Sequence, residues 1–525
     1  MTTSWKAIDA AITAHLPSLQ KPGVLALRPG FKMTAGKMTP VPAIIATVAH
    51  KGPVAPDQCV PPMIAGYPTD VRQASSLELL RRDDPQAFAT WQLRGPAEYT
   101  LPLHDHERDA ATGALLQAPS SAALPKSAPL KPYQPAPGVA LDAVSGKVDL
   151  ILHASPDAGW LQLRPFLAGT THTLTVGMYD FTSAHILDAV VADLAGKQQM
   201  SLVLDHPAKN PTADQTDEQT EAALQAALHK RLAFAWAAEA HDPKVNAAYF
   251  PNAYHIKVAV RDGSTFWLSS GNWNNSNQPD IDPFKHRAGA DAIAAKSDRD
   301  WHVIVSHAGL AKTFEAYLLH DLAMARTVQQ TQAAAFAEAL PELETVISPL
   351  GKAPVTYFKP KVLTGVQARI QPVLTPDAGA GNYVSNFLAL IQSARSKLYL
   401  QTQYIHPPQN GAAPGFTQLL DAVVAQMRAG IDVRIILSQY ETTSGWLEKL
   451  QAAGFDLSKV RIQTGVHNKG FIVDTQVVAS GSQNWSGDGV LHNRDASLII
   501  HNAEAAAYFE TIFLHDWVNM ATPAA

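Results

Sequence analysis

The chain has 525 residues, 46% of them hydrophobic and 17% charged, with a formal net charge of −5. That length supports roughly two to four domains around a large buried core, and the acidic balance removes the broad basic footprint of a dedicated nucleic-acid binder. Cys59 is the single cysteine, so neither an intrachain disulfide framework nor a cysteine-based metal site can form.

The N-terminal stretch MTTSWKAIDAAITAHLPSLQ lacks a basic run followed by an apolar one, and no run of about 18 apolar residues occurs anywhere, so neither a signal peptide nor a transmembrane helix is expected. The default compartment is the cytoplasm; a leaderless export route would leave no trace in the sequence. Residues 42–52 and 63–75 read as strands and SLELLRR (76–82) as a short helix, which predicts a small accessory α+β domain over residues 1–109. His104 and His106 lie among carboxylates in LHDHERD, but histidines at this spacing in a polar loop are usually solvated, and no metal is assigned to them. Residues 110–144 form a Pro/Ala-rich linker, with Pro119, Pro125, Pro129, Pro132, Pro135 and Pro137 in close succession.

Beyond the linker, strands alternate with helices. HTLTVGMYDF (172–181) predicts a strand, HILDAVVADLAG (185–196) a helix and MSLVLDH (200–206) a strand. A further helix starts at a Thr216–Gln219 capping box and carries Leu224, Leu228, Leu232 and Trp236 on one face. AYHIKVAVRDG (253–263) predicts a strand with a turn at Asp262-Gly263, Val258 and Val260 facing one way and Ile256 and Ala259 the other. Later, KLYLQTQYI (397–405) predicts a strand. A helix with Phe416, Leu419, Leu420, Val423, Val424 and Met427 on one stripe stops at Gly430, and DVRIILS (432–438) is the next strand.

These two runs repeat one another. ASPDAG (154–159) returns as LTPDAG (374–379), ILDAVVADLAG (186–196) as LLDAVVAQMRAG (419–430), and HIKVAVRD (255–262) as HNKGFIVD (467–474), in the same order. His255-x-Lys257-x4-Asp262 thus aligns with His467-x-Lys469-x4-Asp474. At equal offsets follow Ser270 and Ser482, Asn272 and Asn484, and Trp273 and Trp485; further on, at different offsets, come Asp300 and Asp495, each preceded by an Arg. The first copy has an extra segment, 278–296, before its Asp. The predicted architecture is α/β: two homologous lobes, residues 145–350 and 351–525, each a mixed sheet flanked by helices and related by a pseudo-twofold.

Residues i and i+2 of a strand project to one side, so each His–Lys pair shares a face. If the lobes meet on those faces, two imidazoles, two ammonium groups, two amides and two hydroxyls converge on a shared cleft. The cations and amide N–H groups can surround a phosphodiester and stabilise its oxygens. One neutral imidazole can attack phosphorus while the other protonates the leaving alcohol. Asp300 and Asp495 are suited to hold the rings by their second nitrogens. This chemistry requires no metal and no cofactor. Trp273 and Trp485 are expected to pack a lobe core or cleft wall rather than stack on substrate.

The duplicated HxKxxxxD with its following Ser-x-Asn, carried here by HIKVAVRDGSTFWLSSGNWN and HNKGFIVDTQVVASGSQNWS, resembles the phospholipase D superfamily over residues 145–525. The resemblance implies a metal-independent phosphodiesterase, a hydrolase acting on phosphoric diesters, working through a covalent phospho-histidine. His255 would be the nucleophile and His467 the acid/base, while Asp262 and Asp474 would be structural. The first copy has Ser-Ser-Gly-Asn where the second has Gly-Ser-Gln-Asn, so its loop is expected to bend differently. A phospholipid is the expected substrate, hydrolysed or transferred, with peripheral membrane contact and with segment 278–296 shaping an acyl-accommodating mouth. A nuclease is the second reading; it needs a basic rim built from Lys285, His286, Arg287, Lys296 and Arg299. A catalytically silent binding module is the third, and the intactness of both motifs speaks against it.

Overall fold

The structure, a computed structural model, describes residues 5–34, 37–94, 101–102, 104–117, 119, 133–205, 214–237, 253–329, 356–376, 382–408, 413–439 and 445–525. Residues 118 and 120–132 of the predicted linker, and the repeat residues 377–379, lie outside them. The N-terminal part is a five-stranded sheet of β1 (Val24–Thr34), β2 (Lys37–Val48), β3 (Met63–Ile64), β4 (Tyr67–Gln73) and β5 (Arg108–Asp109), in the order β3-β4-β2-β1-β5. Helix Trp5–Ala14 lays Ile8 and Ile12 on Leu27, Ile44 and Ala46. The predicted short helix is present as Ser76–Asp83, started by a Ser75–Glu78 capping box. Residues beyond β5 still belong to this sheet's core: Ala110 is buried in it and Leu115 bridges back to Arg108.

The remainder is built on one fifteen-stranded sheet. Its first half comprises β6 (Val144–Ser155), β7 (Thr173–Met178), β8 (Gln199–Leu204), β9 (Leu232–Trp236), β10 (Val258–Arg261), β11 (Thr265–Ser269) and β12 (Asp300–Ser306). The second comprises β13 (Lys361–Thr375), β14 (Lys397–Thr402), β15 (Asp432–Ser438), β16 (Val460–Gln463), β17 (Lys469–Val473), β18 (Val477–Gly481), β19 (Asp495–His501) and β20 (Thr522–Pro523). From one edge the order runs β9-β8-β7-β10-β11-β12-β6, and from the other β20-β16-β15-β14-β17-β18-β19-β13. Apart from β20, the second half repeats the strand order of the first. The halves join where β6 and β13 pair antiparallel.

Helices cover both faces, as strands buried on both sides require. Helices Ala308–Gln329 and Ala503–His515 pack Phe314, Leu318, Phe509 and Phe513 into the core cluster shared by the two halves. On the other face, helices Gly159–Ala168, Ala184–Asp193 and Asp217–Leu228 cover the first half, and Asn382–Ser393 and Pro414–Arg428 the second. The Pro414–Arg428 helix buries the predicted stripe apart from Met427, which is partly buried, and β15 spans the predicted DVRIILS.

Two expectations are corrected. Leu232 and Trp236 are not helical: the helix ends at Leu228 because His229 takes a left-handed φ of 51°, and both residues lie on β9. Leu232 still joins Leu224 and Leu228 in one cluster, so the apolar signal was real but belonged to two elements. In 253–263, regular pairing starts only at Val258, and Ile256 shares its core cluster with Val258 and Val260, with Ala259 on the opposite side. That follows from the period of two.

The N-terminal sheet docks on the second half. Met38 N–H donates to the Ala524 carbonyl at 2.9 Å, and Arg28 and Arg72 lie 3.7 and 3.4 Å from Glu448 on helix Trp446–Ala452. Among the described residues, no helix is long and apolar enough to cross a membrane.

Candidate active site

Four strand ends meet at one edge of each half-sheet. In the first half β10 starts there just after His255 and Lys257, β11 ends there at Ser269, β12 starts there with Asp300, and β6 ends there at Ser155. In the second half β17 starts with Lys469, β18 ends at Gly481, β19 starts with Asp495, and β13 ends at Thr375. This is also the carboxyl edge of the parallel strands β7-β8 and β14-β15, where α/β sheets place their sites.

The two halves bring their imidazoles together: the rings of His255 and His467 have centroids 6.4 Å apart. Each ring is held by the carboxylate of the opposite half. His255 Nδ1 lies 2.9 Å from Asp495 Oδ1, and His467 Nδ1 lies 3.0 Å from Asp300 Oδ1. With Nδ1 committed to a carboxylate, Nε2 is the nitrogen left for chemistry on either ring. His255 is almost fully buried, whereas the His467 side chain keeps 14% of its surface exposed.

The serines do not line the cleft as expected. Ser270 Oγ donates to Asp300 Oδ1 and Ser482 Oγ to Asp495 Oδ1, both at 2.6 Å, so each fixes the carboxylate that fixes a histidine. Lys257 Nζ donates to the carbonyl of His255 at 2.5 Å, and Lys469 Nζ donates to that of His467. Tyr179 packs edge-on against His255 at 5.0 Å and offers its ring face to Lys257. Asn272 and Asn484 are buried beside their serines, Asn272 N–H donating to Asn277 at 2.9 Å.

Asp262 and Asp474 stand at the far ends of β10 and β17, away from the histidines. Both have left-handed φ angles, 53° and 52°. Asp262 accepts the backbone N–H groups of Thr171, His172 and Thr173, and Asp474 those of Arg395, Ser396 and Lys397. Each carboxylate thus staples the loop entering β7 or β14. Trp273 and Trp485 are fully buried in the cores of their halves, against Phe181 and Phe471 respectively.

The charges around the two carboxylates differ. Burial alone would raise Asp300, but the facing His467, its hydrogen bond and Lys469 outweigh it and hold the carboxyl down at about 2. Burial dominates at Asp495, pushing it up to about 7 against the pull of Lys257, Ser482 and Lys469. Burial and the Lys469 ammonium hold His467 below the usual imidazole value, against the pull of Asp300.

The arginines preceding each Asp also reach across. Buried Arg299 pairs with Asp516 at 2.9 Å and with Asp157, and buried Arg494 pairs with Asp321 at 2.7 Å. Arg299 is therefore a structural cation and not part of a basic rim, and on the extra segment Lys285 is already paired with Asp282 at 3.2 Å. The segment includes helix Arg287–Ala294, and just beyond its end Arg299 N–H donates to the Gly465 carbonyl of the His467 loop. Phe284 and Ile293 are exposed on the segment. His106 pairs with Asp9 at 3.4 Å, far along the chain from this centre.

Two buried histidines were not anticipated. His302 lies on β12 two residues after Asp300, and His153 faces it on β6, with ring centroids 4.9 Å apart. The visible signal was the alignment of DRDWHVIV with NRDASLII, where His302 stands opposite Ser497.

The chain resembles several known proteins. Residues 387–517 match a family model described as cardiolipin synthase, PLD-like domain. The chain is 28% identical over 159 residues to a phospholipase D of Rickettsia felis, covering 29% of this chain and 70% of that protein. It is 28% identical over 171 residues to the mitochondrial cardiolipin hydrolase of Mus musculus, covering 30% and 73%. Among solved structures, phosphatidylserine synthase of Haemophilus influenzae aligns with 71% of this chain and 86% of its own at 12% identity and a TM-score of 0.47. These matches support membership of the phospholipase D superfamily.

Proposed function

We infer that this protein is a phosphodiesterase acting on a phospholipid through a phospho-histidine. The observation that carries the reading is the pair of imidazoles, one from each half, 6.4 Å apart and each held through Nδ1 by a carboxylate. In this reading His255 Nε2 attacks phosphorus and forms a P–N bond as the P–O bond to the leaving alcohol breaks. His467 gives its Nε2 proton to that oxygen. It then takes a proton from water, or from an acceptor alcohol, as that oxygen attacks phosphorus and the P–N bond breaks. The anionic diester between the rings favours the protonated form of His467 that the first step needs. Lys257, Lys469, Asn272 and Asn484 neutralise and orient the phosphoryl oxygens. Residues 145–350 and 351–525 each supply half the centre, and residues 1–109, joined through 110–144, brace the second half.

Phospholipid is favoured by the names of the curated relatives and by the exposed Phe284 and Ile293 on the segment beside the His467 loop, which suit contact with a lipid surface. The reading is tested with phosphatidylcholine, phosphatidylethanolamine, cardiolipin, single-stranded DNA and RNA, in excess EDTA and with ethanol present to reveal transfer. Acid-labile phosphate on the protein and turnover of lipid are expected. Cleavage of nucleic acid alone would replace lipid by nucleic acid, and loss of activity in EDTA restored by a divalent ion would sink the metal-independent mechanism.

A further inference from the structure

His302 sits beneath the Asp300–His467 pair, and no role in the reaction has yet been given to it. It is fully buried on β12, on the same side of the strand as Asp300. Its Nε2 lies 2.8 Å from Ser155 Oγ and its Nδ1 2.6 Å from Ser269 Oγ. Ser269 Oγ also accepts the Gly271 N–H at 2.7 Å and can donate to the Gly271 carbonyl at 2.9 Å. Burial holds the imidazole far down, at about 4, so it is neutral.

Hydrogen-bond counting then assigns its tautomer. If Nδ1 carries the proton, it donates to Ser269 Oγ, the Ser269 hydroxyl donates to the Gly271 carbonyl, and the Ser155 hydroxyl donates to Nε2. Every donor is used. With the proton on Nε2, that N–H would donate to Ser155 Oγ, whose own hydroxyl proton would have no acceptor among the described residues.

The loop fixed in this way is the one that grips Asp300. Ser270, between the two tied residues, donates to Asp300 Oδ1, and a Cβ on Gly271 would fall 2.6 Å from Asp300 Oδ2. The second half does this differently: Gly481 and Ser497 occupy the places of Ser269 and His302, and Ser497 bonds to Gln483.

We propose that His302 is a positioning residue for the acid/base pair: acting through Ser269 and Gly271, it holds Asp300 against His467. The role rests on the phospho-histidine reading above. His467 faces Asp298, Lys469 and His255 as well as Asp300, so a displaced Asp300 leaves it next to a cation and lowers its hold on the proton.

The test is single-turnover phosphoenzyme formation by wild type, H302A, H302N and S269A. Two substrates are compared: an alkyl phosphodiester, whose leaving group needs a proton, and bis(p-nitrophenyl) phosphate, whose leaving group does not. H302A is expected to lose about tenfold on the alkyl substrate and under about twofold on the nitrophenyl one. The basic limb of its pH profile moves to lower pH, and H302N, whose amide can still reach Ser269, recovers part of the rate. S269A cuts the same tie from the loop side and gives the same pattern should H302A fail to fold. Equal losses on both substrates with an unmoved pH profile, or undiminished alkyl turnover, overturn the role. Wild-type protein inactive on both substrates overturns the proposed function instead.

Discussion

The two halves of the large sheet agree where the reaction would be most exacting and differ just behind it. The His–Asp distances are 2.9 and 3.0 Å, the Ser–Asp distances 2.6 Å in both, and each outer Asp caps three backbone N–H groups. One layer back, the first half has His302 with His153, and the second has Ser497. Similar first contacts rest on different supports, and the carboxylates also diverge: the facing His467 and Lys469 hold Asp300 down at about 2, whereas burial pushes Asp495 up to about 7. A shared constellation alone does not make the two sites chemically equal; the burial and charge around each carboxylate differ.

The largest effect separates the roles of the two imidazoles. H255A and H467A should each lower diester turnover by at least about 10⁴-fold while the fold, read by circular dichroism, is retained. Only H467A should accumulate phosphate on the protein when the leaving group is p-nitrophenolate. Phosphoenzyme in H255A and none in H467A would reverse the roles.

The next effect follows from the crossing of the carboxylates. D495N should disable His255 and D300N should disable His467, each by roughly 10³-fold through loss of the tautomer lock. D495N therefore blocks phosphoenzyme formation even with a nitrophenyl leaving group, and D300N spares it. The opposite assignment would mean that each Asp serves the His of its own half. An ionised Asp495 holds the His255 Nδ1–H more strongly than its protonated form does. In wild type, single-turnover formation should therefore rise with pH through about 7, and in D495N that rise should be absent.

A smaller effect comes from the buried arginines. R494M leaves Asp321 uncompensated and should cost ~3–5 kcal/mol of stability. R299M leaves both Asp157 and Asp516 uncompensated and should cost more. Denaturant unfolding ranks the two, and a smaller loss in R299M would show that carboxylate number does not set the penalty.

Much of this was legible in the sequence because it depends on spacing along one strand. His255 and Lys257, or His467 and Lys469, share a side by the period of two, the repeat placed Ser and Asn at matching offsets, and the shared Arg-Asp dipeptide marked Asp300 and Asp495 despite the extra segment in the first copy. The crossing of Asp300 to His467 was not legible, since spacing shows which residues recur and not which copy they touch. The serines were misplaced for the same reason: a hydroxyl that donates to a carboxylate and one that faces substrate have the same sequence offset. His302 escaped notice because a single His within an apolar strand reads as core, and only its hydrogen bonds to Ser155 and Ser269 reveal a tie. Leu232 and Trp236 misled through periodicity, because the left-handed turn at His229 has no glycine to announce it.

The smallest effect concerns the outer carboxylates, where the halves should behave alike. Burial raises Asp262 and Asp474, but the backbone N–H groups they accept outweigh it, and both sit below the ordinary value. The stability they contribute is fully present above the unfolded value of about 3.9 and is lost as pH falls through the lower folded value. D262N and D474N should therefore each lose about 1–2 kcal/mol at neutral pH and unfold with a shallower acid dependence below about pH 4. Diester turnover should stay within about twofold of wild type, because neither group reaches the histidines. A large loss of turnover in only one variant would show that its loop, entering β7 or β14, transmits strain to the site, and the equivalence of the two strand ends would then be one of geometry alone.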